Sequence, residues 1–261
     1  MSGPGRNVGV TGNGEQGTEK MIKWNKKFIY PTSTRALING KRHYDVGTNE
    51  KLPSVTTILQ ATQSEEKKRK LEEWKKRMGA QYADRIRDIS AMRGTSMHTY
   101  LEGYIKDERH LDLTALGKEA GRMADVVIRS GLGDLEEVWG TEVTLYYPGL
   151  YAGATDVVGI YAGKPAIVDF KQTNKPKQRE WIEDYFVQLA AYAMAHNYVH
   201  GTDIQSGIIL MCSKDCFFQK FEVSDKEFQG YMHAFLKRVD QYYANCTKDK
   251  DGQGTKNDEK V

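Results

Sequence analysis

Cysteine is scarce in this chain of 261 residues, with only Cys212, Cys216 and Cys246. So few thiols over such a length cannot staple a disulfide framework, which points to a core held by burial and to a reducing compartment. Long apolar runs are missing too. No stretch approaches the roughly 20 apolar residues that span a bilayer, so a membrane is not an expected partner. The opening MSGPGRNVGVTGNGEQGTEK has neither the apolar segment of a secretory signal nor the Arg-rich amphipathic pattern of an organellar one. Net charge is small, +3 from 38 Lys+Arg against 35 Asp+Glu. Composition alone does not announce nucleic acid, and a polyanion would have to be met by a local basic patch.

What is present suffices for one core. Hydrophobic residues make up 39%, which excludes wholesale disorder and fits a single domain. Residues 1–20 are Gly-rich and residues 247–261 are charged; both read as disordered tails around a domain over 21–246. From Phe28 to Leu59 the chain is polar and turn-rich, with SVTTILQ opening a first helix. Leu71, Trp74, Met78 and Tyr82 recur at helical spacing within Ser64–Ile89; further helical stretches follow Gly94 and cover Ala115–Ile128. Val138–Tyr147, Tyr151–Tyr161 and Pro165–Phe170 are β-branched and aromatic runs separated by turn residues, as in a meander. A helix over Glu180–His196, a hairpin from Ile204–Met211 and Phe217–Phe221, and a closing helix over Phe228–Tyr243 follow. The sum is an α/β domain, a mixed sheet flanked by helices, with an N-terminal helical part.

The chemistry concentrates in YAGATDVVGIYAGKPAIVDFKQTNKPK. If the two strands pair antiparallel, Asp156 and Asp169 approach at one end of the sheet. Paired carboxylates in a half-buried strand repel, and a divalent cation relieves that penalty. Lys171 follows Asp169 by two residues, so its ammonium shares that face. Two acids and a lysine suit cation-assisted phosphodiester hydrolysis. Alone, the D-x-K triplet also reads as a structural ion pair. In RGTSMHTYLEGYI, His98 lies one turn after Gly94 with Glu102 at i+4, where a packed histidine and a surface glutamate are the plain alternatives. Gln188 and Tyr192 lie one turn apart on a helix, equally compatible with a core edge. Glu142 reads as a solvated strand carboxylate, with a role at a second cation as the alternative. The basic run Lys67–Arg77 is interleaved with acids, as on a solvated helix face, although with Lys175, Lys177 and Arg179 it could flank a nucleic-acid backbone. Trp24, Trp74 and Trp181 are candidates for stacking bases, with packing the default for Trp74.

Taken in order, Gly94-x-x-x-His98, Gly153-x-x-Asp156, Asp169-Phe170-Lys171 and Gln188-x-x-x-Tyr192 resemble the motif series of RecB-like PD-(D/E)XK nucleases. The resemblance is closer to the group of the mitochondrial genome maintenance exonuclease and its bacteriophage relatives. PSVTTILQ, LEEWKKRM, RGTSMHTYLE, GKPAIVDFKQTNKPK and QLAAYAMA follow that group's running order, from roughly Phe28 to Tyr243. It implies a PD-(D/E)XK (restriction-endonuclease-like) core. It also implies His98, Asp156, Asp169 and the Phe170 backbone carbonyl as ligands of Mg²⁺ or Mn²⁺, and Lys171 as the catalytic lysine beside Asp156 and Asp169. Gln188, Tyr192, Thr173, Lys175 and Lys177 would then meet substrate, and Glu102 would accept a hydrogen bond from His98. One departure stands out: the family has Thr after the lysine, where this chain has Gln172, with Thr173 next.

The implied activity is an exonuclease acting on single-stranded DNA or flaps from free ends, in replication, recombination or repair. A site-specific endonuclease of the same fold and a non-catalytic nucleic-acid-binding module are the alternatives. Some relatives bind an iron–sulfur cluster through four cysteines; three cannot build one, so no such cluster is expected. A monomer is expected, in a bacterial or phage-infected cytoplasm rather than a mitochondrial matrix.

Overall fold

The computed structural model describes residues 22–48, 50–108 and 110–254. Three consecutive strands, β5 (Leu135–Tyr147), β6 (Tyr151–Tyr161) and β7 (Lys164–Thr173), form the expected antiparallel meander. The β6–β7 turn is Ala162-Gly163, both at positive φ (47° and 77°), as a tight two-residue hairpin requires. Helix α5 (Glu183–His200) then crosses over to β8 (Ser206–Ser213), which pairs parallel with β7, and β9 (Phe218–Ser224) closes that edge. A short β1 (Lys23–Trp24) pairs parallel with β5 at the other edge. The order β1-β5-β6-β7-β8-β9 is thus a mixed sheet.

Its central strands are apolar on both faces, so helices cover both. On one side α3 (Ala80–Ile105) and α4 (Ala115–Gly131) bury Met97, Leu101, Met123 and Val127 against Val138, Val157, Val168 and Leu210. On the other, α1 (Val55–Ala61), α5 and α6 (Asp225–Gly254) bury Ile58, Phe186, Leu189 and Phe235 against Val158, Ile167 and Ile209. Arg238 of α6 ties this layer together by bonding Asp184 (2.6 Å) and Thr62 (2.7 Å).

Three boundaries differ from the sequence expectation. Residues 28–59, polar and turn-rich in sequence, hold three strands that were not expected: β2 (Thr34–Ile38), β3 (Lys41–Asp45) and β4 (Lys51–Pro53) form a small antiparallel sheet. Only Tyr44, Val46 and Leu52 anchor it, too few for alternation to show in the sequence. Gly94 does not precede a helix but lies inside α3; the break comes at Gly79, whose φ of 84° ends α2 (Glu65–Met78). No residue of α2 is buried, and its charges pair along the helix, Lys68–Glu65 and Lys70–Glu66 among them. Helix α6 runs to Gly254, past the expected boundary at 246, with no proline to stop it. The expected tail over 1–20 and the end of the other, 255–261, lie outside the described residues.

At the start of the meander the β5–β6 register shifts between Leu135 and Glu137 and again between Val138 and Gly140. Gly159 makes this bulge possible, because a Cβ there would meet the Glu137 carbonyl oxygen at 1.9 Å. Gly159→Ala is therefore expected to cost at least about 1–3 kcal/mol in urea unfolding. An unchanged midpoint would mean that the bulge does not depend on this close approach.

Candidate active site

The two central strands part at the candidate acids. β6 and β7 pair from the turn only as far as Val157 and Val168. Beyond that point β6 stays with β5 out to Tyr151, and β7 stays with β8 out to Thr173. Asp156 and Asp169 are each the first residue past the last pair, so they face one another across the opening gap. The sheet thereby produces the juxtaposition the sequence suggested.

Side chains enter the gap from several elements. His98, on α3, places Nδ1 3.2 Å from Asp156 Oδ1. The Phe170 N–H donates to Asp156 Oδ2 at 2.6 Å. In an extended strand the N–H and C=O of one residue point to the same flank, so the Phe170 carbonyl is turned toward the gap as well. Lys171 Nζ is ion-paired with Asp169 Oδ2, which nonetheless receives no hydrogen bond of ordinary geometry, and it also lies 5.1 Å from the Tyr185 ring centroid. Gln188 Nε2 donates to the Tyr192 hydroxyl at 2.9 Å. The Tyr192 ring lies where a Cβ on Gly153 would be, 2.7 Å from Cε1, so the glycine of the G-x-x-D motif leaves room for that ring.

Glu142 is the residue that sequence reasoning undervalued. Its φ of 52° is unusual for a strand glutamate and costs of the order of 1–3 kcal/mol. The next-door Thr141 hydroxyl holds the Asp156 carbonyl at 2.8 Å. Ligand atoms of His98, Glu142 and Asp156 all lie within 4.8 Å of one another. One nitrogen and several oxygens, beside the buried Asp169 carboxylate, form a donor set that fits a divalent cation. Glu142 is exposed, as a solvated strand carboxylate would be, yet its oxygen still reaches the His98–Asp156 pair.

Other expected residues are placed differently. The Glu102 carboxylate lines the cleft but pairs with Lys106, while His98 pairs with Asp156, so the expected His98–Glu102 hydrogen bond is not formed. Thr173 spends its hydroxyl on the Lys175 carbonyl at 2.8 Å, closing the turn after β7. The Lys177 backbone is fastened to the Gln219 amide. Thr173, Lys175 and Lys177 are not among the cleft-lining residues. Gln172 packs over Gly94, 3.2 Å from a Cβ position there, and faces the buried Arg93. Arg93 also holds Glu119 and Asn174, each at 2.9 Å, clamping α3 and its His98 against the end of β7. Trp24 gives its indole N–H to the Ile105 carbonyl.

The electrostatics match a site waiting for positive charge. Burial pushes Asp169 up to about 6 despite Lys171, and the Asp156 charge adds to the push. Burial would raise Asp156 too, but His98, Lys171 and the Phe170 N–H hold it below the usual carboxylate range. Glu142, exposed at the mouth of the cleft, is pushed up to about 7 by partial loss of hydration and by Asp156. Burial opposes a charged imidazole at His98, yet Asp156 outweighs it and lifts the group to about 9. Lys171 is kept protonated by Asp169 and Asp156 against its burial.

A cation must displace protons from such ligands. Its affinity should therefore fall as pH drops below about 9, where His98 protonates, and more steeply below about 7, where Glu142 follows. Calorimetry with Mn²⁺ in buffers of different ionisation enthalpy should register roughly one proton released at about pH 8 and roughly two at about pH 6.5. Release near zero at both would remove His98 and Glu142 from the ligand set.

No protein-family model matches the chain. Mitochondrial genome maintenance exonuclease 1 of Mus musculus is 27% identical over 221 residues, which is 78% of this chain and 64% of the relative. The protein of the same name from Homo sapiens is 28% identical over 205 residues (73% and 58%), and that of Xenopus tropicalis 30% over 177 residues (64% and 50%). The chain thus spans less than two thirds of the length of these curated relatives. Among solved structures, an alkaline exonuclease from Laribacter hongkongensis aligns with a TM-score of 0.32 at 9% identity, covering 64% of this chain and 86% of that one. That superposition is too loose to bear on chemistry. Among the described residues no helix is long and apolar enough to cross a membrane. Sequence likeness therefore joins this chain, over most of its length, to exonucleases named for mitochondrial genome maintenance.

Proposed function

We propose that this chain is a divalent-cation-dependent DNA nuclease of the PD-(D/E)XK type, an exonuclease taking single-stranded ends or flaps. The observation that carries the reading is the convergence of His98, Glu142 and Asp156 on one point, beside the buried Asp169–Lys171 pair, in an open cleft. The names of the relatives support the same activity.

His98, Asp156, Asp169, Glu142 and the Phe170 carbonyl would hold Mg²⁺ or Mn²⁺, with the imidazole favouring Mn²⁺. When bound, the cation supplies Lewis acidity toward a phosphoryl oxygen and lowers the pKa of water. Lys171 contributes a fixed ammonium. Held by Asp169 and flanked by the Tyr185 ring, it stabilises negative charge developing on the phosphate without reorganising. Its proton stays on Nζ, so its work is electrostatic. Gln188 and Tyr192 line the opposite wall, where the amide and the phenol can orient the strand.

Lys171→Ala should lower turnover about 10²–10³-fold while calorimetric cation affinity survives. Loss of both, or of neither, would contradict the role given to Lys171. Asp156→Asn and Asp169→Asn should abolish cutting but spare binding of single strands. The activity itself is tested with end-labelled single strands, duplexes, flaps and a closed single-stranded circle, with and without Mg²⁺ or Mn²⁺. Linear single strands and flaps should be degraded only with the cation, and the circle spared. A cut circle would make this an endonuclease, and binding without cutting would make it a non-catalytic module.

A further inference from the structure

The small sheet over the cleft has no role in the reading above. β2 and β3 are joined by Asn39-Gly40, both at positive φ (50° and 71°), a turn that fixes the hairpin register. That register sets Arg35 opposite Tyr44 and Leu37 opposite Arg42, so these four side chains share one face. The face is turned to the site. Arg35, Arg42 and Tyr44 line the same cleft of about 360 Å³ as His98, Glu142, Asp156, Gln188 and Tyr192.

Backbone and side chain divide the labour at Arg42. Its carbonyl is pinned by the Ser54 N–H (3.0 Å) and the Thr57 hydroxyl (2.9 Å), where α1 begins against β6. Tyr44, 3% exposed, anchors the hairpin on Ala152 of β6. The two guanidiniums are exposed, and among the described residues neither is ion-paired with a carboxylate. They stand at diagonal positions across the two strands, about 7–8 Å apart, a spacing comparable with that of neighbouring phosphates on an extended strand. Leu37, 77% exposed, continues the same face away from the site. One wall of the cleft is therefore acidic and suited to a cation. The other presents two unpaired planar forks, the donors best shaped for phosphate.

We infer that the cleft-facing side of the β2–β3 hairpin is a clamp for the substrate strand. Arg35 and Arg42 hold two neighbouring phosphates on one side of the linkage that is cut, and Leu37 rests against a base beyond them. The inference rests on the nuclease reading and adds its means of gripping the strand. Both arginines are positioning residues: they fix which linkage lies over His98 and Asp156.

The test is steady-state cutting of a single-stranded oligonucleotide by the full chain with Mn²⁺ at several salt concentrations. Arg35→Gln and Arg42→Gln should each lower kcat/KM roughly tenfold, with the loss carried by KM. The slope of log(kcat/KM) against log salt should become shallower by about 0.7 per arginine removed. Arg42→Lys should recover part of the salt slope but not the full affinity. Lys164→Gln, at the far turn of the β6–β7 hairpin, should change nothing, and melting midpoints exclude misfolding. If the wild type cuts while the double variant keeps its KM and salt slope, the clamp is wrong and the nuclease reading stands. A collapse of kcat at unchanged KM would place the arginines on the reacting phosphate and also overturn the clamp. If the wild type neither binds nor cuts, the nuclease reading fails and the clamp falls with it.

Discussion

Two carboxylates face each other where a β-ladder comes apart, and most of the site follows from that. Had β6 and β7 stayed paired past Val157 and Val168, Asp156 and Asp169 would be neighbours in a closed sheet with no room for a third party. Because β6 follows β5 and β7 follows β8, the gap between them is open but still largely shielded from water. Charges in such a place are stable only with opposite charge close by. Lys171, His98 and the Phe170 N–H supply part of it, while burial still holds Asp169 above the usual carboxylate range.

The rest of the fold holds this gap in shape. Helix α3 delivers His98 from one face, secured by Arg93 to Glu119 and Asn174. Helix α5, fixed in the crossover between two parallel strands, delivers Gln188 and Tyr192 from the other, with Gly153 making space for the tyrosine ring. The small sheet closes the cleft from above. Function and stability are in tension here: a positive φ at Glu142 and a buried carboxylate at Asp169 are costs that a sheet packed on both faces can carry.

Much of this was legible in the sequence, and the limits have physical causes. The meander, the crossover helix and the closing hairpin announce themselves because their side chains alternate between two buried faces or repeat at helical spacing. The acids and Lys171 were legible because strand alternation and a two-residue turn fix their relation. The nearness of Glu142 to His98 and Asp156 was not, since it comes with a positive φ in β5 that strand alternation does not encode. The β2–β3–β4 sheet escaped notice because it buries few apolar residues, and with it went Arg35 and Arg42. Thr173 and Glu102 looked functional by position, yet their polar atoms are taken by Lys175 and Lys106. Gln172, odd as a replacement for threonine, makes sense as packing over Gly94 beside Arg93.

On this geometry the parted strands should enclose a cation site. Anomalous diffraction from crystals of the full chain grown with Mn²⁺ tests it most directly. A peak is expected in the gap between β6 and β7, within coordination distance of His98, Asp156 and at least one of Glu142 and Asp169. A crystal whose manganese lies elsewhere, with His98 still bonded to Asp156 and the gap closed by side chains alone, would contradict it.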